Sequence, residues 1–324
     1  MNETVAHIFS EGTRDEELVL SIFRHQYKEN KVYHDWVNAL NILPEDVTSI
    51  TAIPFLPISF FKTNKVVCGD FEPELVFESS GTTQTINSKH WVKEAALYIE
   101  SFTTAFEQFY GRIQDYCVIG LLPSYLERKN SSLIQMVDEM ITISQHPDSG
   151  FYLYDFEKLA QLLKKLDEQK QPVLFIGVTF ALLDFAEAFP MQLHHTIVME
   201  TGGMKGRREE LTRAQVHDFL KEKLGVSDVH SEYGMTELLS QAYSKGKGIY
   251  RCPAWMKALV RDENDPLYVS GSGKGILNII DLVNIHSCSF IATDDVGIVH
   301  DDGSFEVWGR LDNSDIRGCS LLVV

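Results

Sequence analysis

The sequence predicts an α/β fold, with parallel βαβ units through its middle and a β-rich C-terminal subdomain. Three observations predict it. Short apolar runs recur between residues 75 and 199, each followed by a polar turn and an amphipathic stretch, the grammar of strand, loop and crossover helix. Beyond Leu267 helical spacing gives way to short strand-like runs joined by polar turns. With 324 residues, 44% of them hydrophobic and 23% charged, the chain can bury a sizeable core and is neither disordered nor fibrous.

The elements follow in order. Leu18, Ile22, Phe23 and Tyr27 stand at roughly helical spacing, and Pro44, Pro54 and Pro57 punctuate the end of this helical lead-in, residues 1–62. A core of βαβ units is then expected over 63–266. Leu75-Val76-Phe77 predicts a strand leading through a Ser/Gly/Thr loop to a helix near Trp91 to Phe109. Tyr116 to Leu122 leads through Pro123 to a helix near Ser131 to Ile143. Phe156, Leu159, Leu163 and Leu166 form a further helical stripe, read as core. Val173 to Val178 precedes a helix ending near Phe189. Thr196 to Met199 runs into Gly202-Gly203 and a charged helix from Arg208 to Leu224, whose charges read as a solvated face. In 267–324, strands are expected at Leu277 to Leu282, Ser289 to Thr293, Ile298 to His300 and Phe305 to Trp308, with a turn at Asp301-Asp302-Gly303; together they suggest an antiparallel subdomain.

Charge and cysteine usage bound the function. Against 29 Lys and Arg stand 46 Asp and Glu, a formal net charge of −17, which opposes a broad electrostatic grip on nucleic acid or anionic lipid. No nucleic-acid partner is expected, and any phosphate site must be local. Met1 to Glu17 carries five acidic residues and no apolar block, unlike a secretory signal. The longest apolar run, Val173 to Leu183, is too short for a bilayer crossing, so no membrane span is expected. Cys68, Cys117, Cys252, Cys288 and Cys319 form no Cys-x-x-Cys pair, which suggests neither a disulfide framework nor a zinc knuckle and fits a cytoplasmic location. His90 and the His194-His195 pair make no metal spacing and are expected to be structural.

Three motifs carry chemistry. Ser79-Ser80-Gly81-Thr82-Thr83 lies between a strand and a helix, where backbone N–H groups and hydroxyls can wrap a polyphosphate; it lacks the Gly-Lys-Ser/Thr of a Walker loop, and it also reads as a plain solvated turn. Tyr233-Gly234-Met235-Thr236-Glu237 offers an aromatic face, a close approach, a hydroxyl and a carboxylate for Mg²⁺, or else a core tyrosine before a capped helix. Thr293-Asp294-Asp295-Val296-Gly297 and Gly309-Arg310-Leu311-Asp312 supply carboxylates for ribose hydroxyls and a guanidinium, or else an Asp-rich turn and a surface ion pair.

In this order and at these separations the three resemble the signature series of the adenylate-forming acyl-CoA synthetase superfamily. Within it the sequence is similar to the acyl-protein synthetases of the bacterial luminescence fatty-acid reductase complex, whose relatives include phenylacetate–CoA ligases. The resemblance covers roughly Pro54 to Val324. It implies a large adenylate-forming N-terminal-domain-like fold. It also implies that Ser80, Gly81, Thr82 and Thr83 form the phosphate loop, that Gly202 and Gly203 lie against adenine, and that Tyr233, followed by Gly234, stacks on the base. Thr236 then contacts the α-phosphate or acyl group, Glu237 ligates Mg²⁺, and Asp295 with Arg310 holds the ribose. The segment Pro123 to Arg128 is implied to line the acyl side.

Two departures stand out. The loop lysine of many relatives is absent, with Lys89 as a stand-in. Only fourteen residues follow Arg310, so the mobile C-terminal domain that carries an adenylation lysine is expected to be absent. In the similarly short acyl-protein synthetases the acyl group passes to a cysteine near the C-terminus, which makes Cys319 the candidate nucleophile, with Arg317 placed to lower its thiol pKa. The implied activity is ATP-dependent and Mg²⁺-dependent activation of a carboxylic, fatty acid as acyl-adenylate, then transfer to Cys319 and on to an acyl-CoA-reductase-like or carrier protein acceptor. An acyl- or arylacetate-CoA ligase, and a degenerate adenylation domain kept as a binding scaffold, are the alternatives.

Overall fold

The computed structural model describes residues 3–79, 86–123, 130–153, 155–202 and 211–311. The lead-in is helical: α1 (Glu3–Ser10), α2 (Glu16–Glu29) and α3 (Lys31–Ala39). Asp15 accepts from Leu18 N at the start of α2, and Asn30 accepts from Tyr33 N at the start of α3, so each helix opens with a side chain meeting an orphan amide. Leu18, Ile22 and Phe23 are buried. A short strand, β1 (Leu56–Pro57), and a helical turn, α4 (Phe60–Thr63), follow.

The expected first βαβ unit is not formed. β2 (Leu75–Glu78) and β3 (Lys89–Val92) make an antiparallel ribbon of their own, off the main sheet. Trp91 therefore sits in a strand, and α5 (Ala95–Tyr110) starts after it. Buried His90 and Val92 alternate with the outward Lys89 and Trp91, and that period of two is a strand's, not a helix's.

The remaining units are parallel as expected. β4 (Cys117–Leu121), α6 (Ser132–Ser144), β5 (Gly150–Phe151), α7 (Phe156–Glu168), β6 (Val173–Gly177), α8 (Thr179–Ala188), β7 (Thr196–Glu200), α9 (Arg213–Leu224) and β8 (His230–Tyr233) give a parallel run in the order β5-β4-β6-β7-β8. β4 and β6 are buried at every position, the mark of strands covered on both faces. α9 begins at Arg213, where Thr212 and Gln215 form a capping box, and stops at Gly225 in the left-handed region.

From β8 onward the pairing turns antiparallel through β9 (Ala242–Ser244), β10 (Tyr250–Arg251), β11 (Met256–Arg261), β12 (Val269–Ser270), β13 (Gly273–Asp281), β14 (Phe290–Val299) and β15 (Phe305–Arg310). These strands are not a separate layer. The main sheet is 13-stranded and continuous, running β12-β11-β13-β14-β15-β10-β9-β8-β7-β6-β4-β5, with β1 added in parallel to β14. The stretches expected as two strands at Ser289 to Thr293 and Ile298 to His300 mostly belong to one, because β13 and β15 pair with β14 on both sides across Asp294-Asp295. One hydrophobic cluster reaches from Ile8 to Phe305 and so joins lead-in, parallel units and antiparallel strands. No helix among the described residues is long and apolar enough to cross a membrane.

Candidate active site

In open α/β sheets ligands bind beyond the carboxyl ends of the parallel strands, and here β7 and β8 end side by side at Glu200 and Tyr233. After β7, Gly202 takes a φ of +79°, a conformation that favours glycine, and no described residue lies within 4 Å of where a Cβ would project. Glu200 anchors this turn, accepting from Gly202 N at 2.8 Å and from the Thr179 hydroxyl. Gly203 lies outside the described residues.

Tyr233 is 8% exposed, its ring edge-on to Phe305 at 5.3 Å and to Tyr250 at 5.9 Å. Its hydroxyl donates to Asp295 Oδ2 at 2.8 Å, and Arg310 Nε donates to Asp295 Oδ1 at 3.0 Å. Burial, then the Asp295 carboxylate, hold the phenol pKa well above its ordinary value, so it remains a donor. The sheet explains the triad: Asp295 and Arg310 face each other across the β14–β15 ladder. A bulge beside them closes around Gly297, where an added Cβ would lie 1.9 Å from the Glu306 carbonyl oxygen.

Beyond Gly234, the loop after β8 carries Thr236 and Glu237. Glu237 is buried, and burial pushes its carboxyl up from the ordinary range; a hydrogen bond with the Ser88 hydroxyl and the positive fields of Arg310 and Lys62 oppose this. Ser88 closes the stem of the Ser/Gly/Thr loop expected to cradle phosphate, since Ser79 N donates to its carbonyl at 3.0 Å and Ser88 N donates to Ser79 Oγ at 2.9 Å. The base of that loop therefore rests on Glu237, although Ser80, Gly81, Thr82 and Thr83 themselves lie outside the described residues. Lys89, the stand-in for a loop lysine, pairs with Glu78 at 3.3 Å on its own ribbon.

Three residues hold this loop that residue types and spacing did not single out for it. His90 Nδ1 donates to the Thr236 carbonyl at 2.9 Å and Asn284 Nδ2 to the Glu237 carbonyl at 2.8 Å. Asp281 accepts from Leu239 N at 2.8 Å, from Ser240 N at 3.0 Å and from Ser240 Oγ at 2.6 Å. Their contacts span 146, 47 and 41–42 positions of sequence, and no local pattern announces them.

Among the described residues no cluster of three His, Cys, Asp or Glu could hold a metal by itself. A lone carboxylate at Glu237 suits Mg²⁺, which is commonly bound through one or two carboxylates plus substrate phosphates. Cys68 and Cys252 are pushed up to about 12 by burial and Cys117 to about 11, while Cys288 is raised further, so none of these four is a ready thiolate. Cys319 and the segment 124–128 lie outside the described residues; of the acyl-side stretch only Pro123 is described.

The chain is similar to several known proteins. The long-chain-fatty-acid–luciferin-component ligase of Aliivibrio fischeri is 22% identical over 333 aligned positions, covering 94% of this chain and 86% of that protein. A 2-hydroxyisobutyryl-CoA ligase solved in its postadenylation state superposes with a TM-score of 0.61 at 12% identity, over 94% of this chain and 69% of that one. ATP-bound MatB from Rhodopseudomonas palustris gives 0.56 at 16% identity over 74% of this chain, which spans about half of MatB's length (49%). At such identities the two structures establish the fold, that of adenylate-forming ligases. The family model for acyl-protein synthetase, LuxE, matches residues 10–324, so the chain belongs to the LuxE acyl-protein synthetase family.

Proposed function

We propose that this chain activates a carboxylic acid, of the fatty-acid class, with ATP and passes the acyl group through Cys319 to a protein acceptor. The observation that carries the reading is the meeting of distant residues in one place. Tyr233, Asp295 and Arg310 are hydrogen-bonded in series, and Glu237 of the same loop touches Ser88 at the foot of the phosphate loop. The family assignment and the name of the Aliivibrio fischeri relative support the acid class.

In this reading the phosphate loop of Ser80, Gly81, Thr82 and Thr83 cradles the phosphates. Gly202 and Gly203 lie against the base, and Tyr233 stacks on it. Asp295, fixed by Tyr233 and Arg310, accepts from the ribose hydroxyls. An oxygen of the acid carboxylate attacks the α-phosphorus while the bond to the bridging oxygen breaks and pyrophosphate leaves, giving the acyl-adenylate. Thr236 donates its hydroxyl toward the α-phosphate or acyl oxygen. Bound at Glu237, Mg²⁺ would offset charge on the phosphates. The Cys319 thiolate then attacks the acyl carbon; the carbon–sulfur bond forms, the bond to phosphate oxygen breaks and AMP departs. The thioester is handed to an acyl-CoA-reductase-like or carrier protein. A free thiol in this role calls for reducing surroundings such as the cytoplasm.

The test is isotope exchange between pyrophosphate and ATP with a panel of fatty and aromatic acids. Acid-dependent exchange is expected, with radiolabelled acid remaining on the protein in a hydroxylamine-sensitive bond. In Cys319→Ser exchange should survive and labelling should vanish. Folded protein that supports no exchange with any acid overturns the reading, and AMP release that requires CoA replaces the protein acceptor by CoA.

A further inference from the structure

The loop bearing Thr236 and Glu237 is gripped at two successive carbonyls by side chains from distant parts of the chain, His90 at 2.9 Å and Asn284 at 2.8 Å. A carbonyl oxygen only accepts, so each contact settles where the hydrogens are. His90 carries its proton on Nδ1, and Asn284 turns its amino group toward the loop. His90 Nε2 and Asn284 Oδ1 remain, and both are buried without a partner among the described residues. The residues are 1% and 0% exposed. Burial, opposed by the bond to Thr236, lowers the imidazole to about 4, so the ring is neutral in ordinary buffers and Nε2 is an acceptor.

Both leftover atoms thus accept, and neither can satisfy the other. Leaving such groups unmet costs stability, and native structures almost always supply a partner. Both residues line a single cavity of about 10 Å³, on the order of the room one water needs. A molecule there must donate twice, and water has two hydrogens to give.

We propose that this cavity is a binding site for one structural water that donates to His90 Nε2 and to Asn284 Oδ1, making the two side chains one clamp on the Thr236 and Glu237 carbonyls. His90 and Asn284 are then positioning residues, acting on the loop rather than on substrate. The consequence for chemistry rests on Thr236 and Glu237 being the activating pair; the water site does not. A displaced loop would carry the Glu237 carboxylate with it, and displacements near 1 Å cost about 100-fold in well-positioned sites.

Two measurements test this. A crystal structure at a resolution that shows solvent should place a peak within about 2.6–3.2 Å of both atoms. No peak, or a peak touching only one of them, overturns the site. His90→Phe, Asn284→Leu and the double variant are then compared in pyrophosphate exchange. Each single change should lower kcat about 10- to 100-fold with the KM for acid within about twofold, and the double variant should be little worse than either single one, because one clamp is lost only once. His90→Asn, which keeps a donor toward Thr236, should recover part of the rate. Effects that multiply in the double variant overturn the clamp. If wild-type protein shows no exchange while the solvent peak is present, the proposed activity fails and the water site stands. Should the variants not fold, the wild-type crystal structure decides.

Discussion

The Tyr233 hydroxyl donates to Asp295, and that bond fixes the carboxylate proposed to face the ribose. Tyr233→Phe deletes a buried bond to a charged acceptor, worth about 1.5–3 kcal/mol, so the KM for ATP should rise at least about tenfold while kcat changes little. An unchanged KM would separate Tyr233 from nucleotide binding. Glu232, its neighbour in β8, behaves differently. Burial, then the charge of Glu200, push its carboxyl from 4.5 up to about 8. A carboxyl with a raised folded pKa keeps its proton longer in the native state; its contribution to stability is whole below the unfolded pKa and is lost as the pH climbs through the folded one. Glu232→Gln does not titrate, so it should gain on wild type between pH 4.5 and about 8, at no more than about 1.4 kcal/mol per pH unit. Chemical unfolding across that range checks it, and a flat difference would contradict the shift. That Tyr233, Asp295 and Arg310 belong together was legible because their side-chain chemistry marks the motifs that carry them, and the structure joins the three by hydrogen bonds. His90, Asn284 and Asp281 were not, because what they hold is backbone, and any residue type presents a carbonyl or an amide.

At the scale of elements, the β14–β15 ladder is the device that pairs Asp295 with Arg310. Gly297→Ala would drive a methyl into the Glu306 carbonyl, 1.9 Å from the built Cβ position, and the ladder must part to admit it. A loss of about 2–3 kcal/mol is expected, with weaker nucleotide binding by calorimetry; retained stability and affinity would show that the bulge yields. Asp281→Asn keeps one oxygen and turns the other into a donor, so either the Leu239 and Ser240 amides or the Val283 amide and the Ser240 hydroxyl lose their acceptor. It should cost about 2–4 kcal/mol in denaturant unfolding; a change below about 1 kcal/mol would mean the amide takes over. The parallel units were readable in sequence because continuous apolar runs such as Val173 to Val178 suit strands covered on both faces. The β2–β3 ribbon was missed because Trp91 lent itself to a helical stripe, and the decisive alternation of Lys89, His90, Trp91 and Val92 is only four residues long. β14 was divided because two aspartates in succession read as a turn, whereas flanking strands on both sides keep them extended.

The whole molecule is tied across its length. Phe23 meets Phe290 edge-on at 6.3 Å, Tyr33 stacks on the same ring at 6.1 Å, and Gln26 Nε2 donates to the Asn284 carbonyl at 2.9 Å. The periodicity of Leu18, Ile22 and Phe23 announced a helix, but no local pattern in sequence could name its seat, which lies some 260 positions away. Deleting residues 1–39 should abolish the cooperative transition and the near-ultraviolet circular dichroism; a sharp transition in the truncated protein would show that the sheet stands alone.

β1 pairs with β14, so its hydrogen bonds wait for a strand some 235 positions later in the chain. On the ribosome, α2 and α3 must wait for Phe290 of β14 to emerge before Phe23 and Tyr33 find their cover. A message cut short would therefore yield chains whose leading helices stay open to chaperones and proteases, and a cell would clear such fragments rather than accumulate half an enzyme.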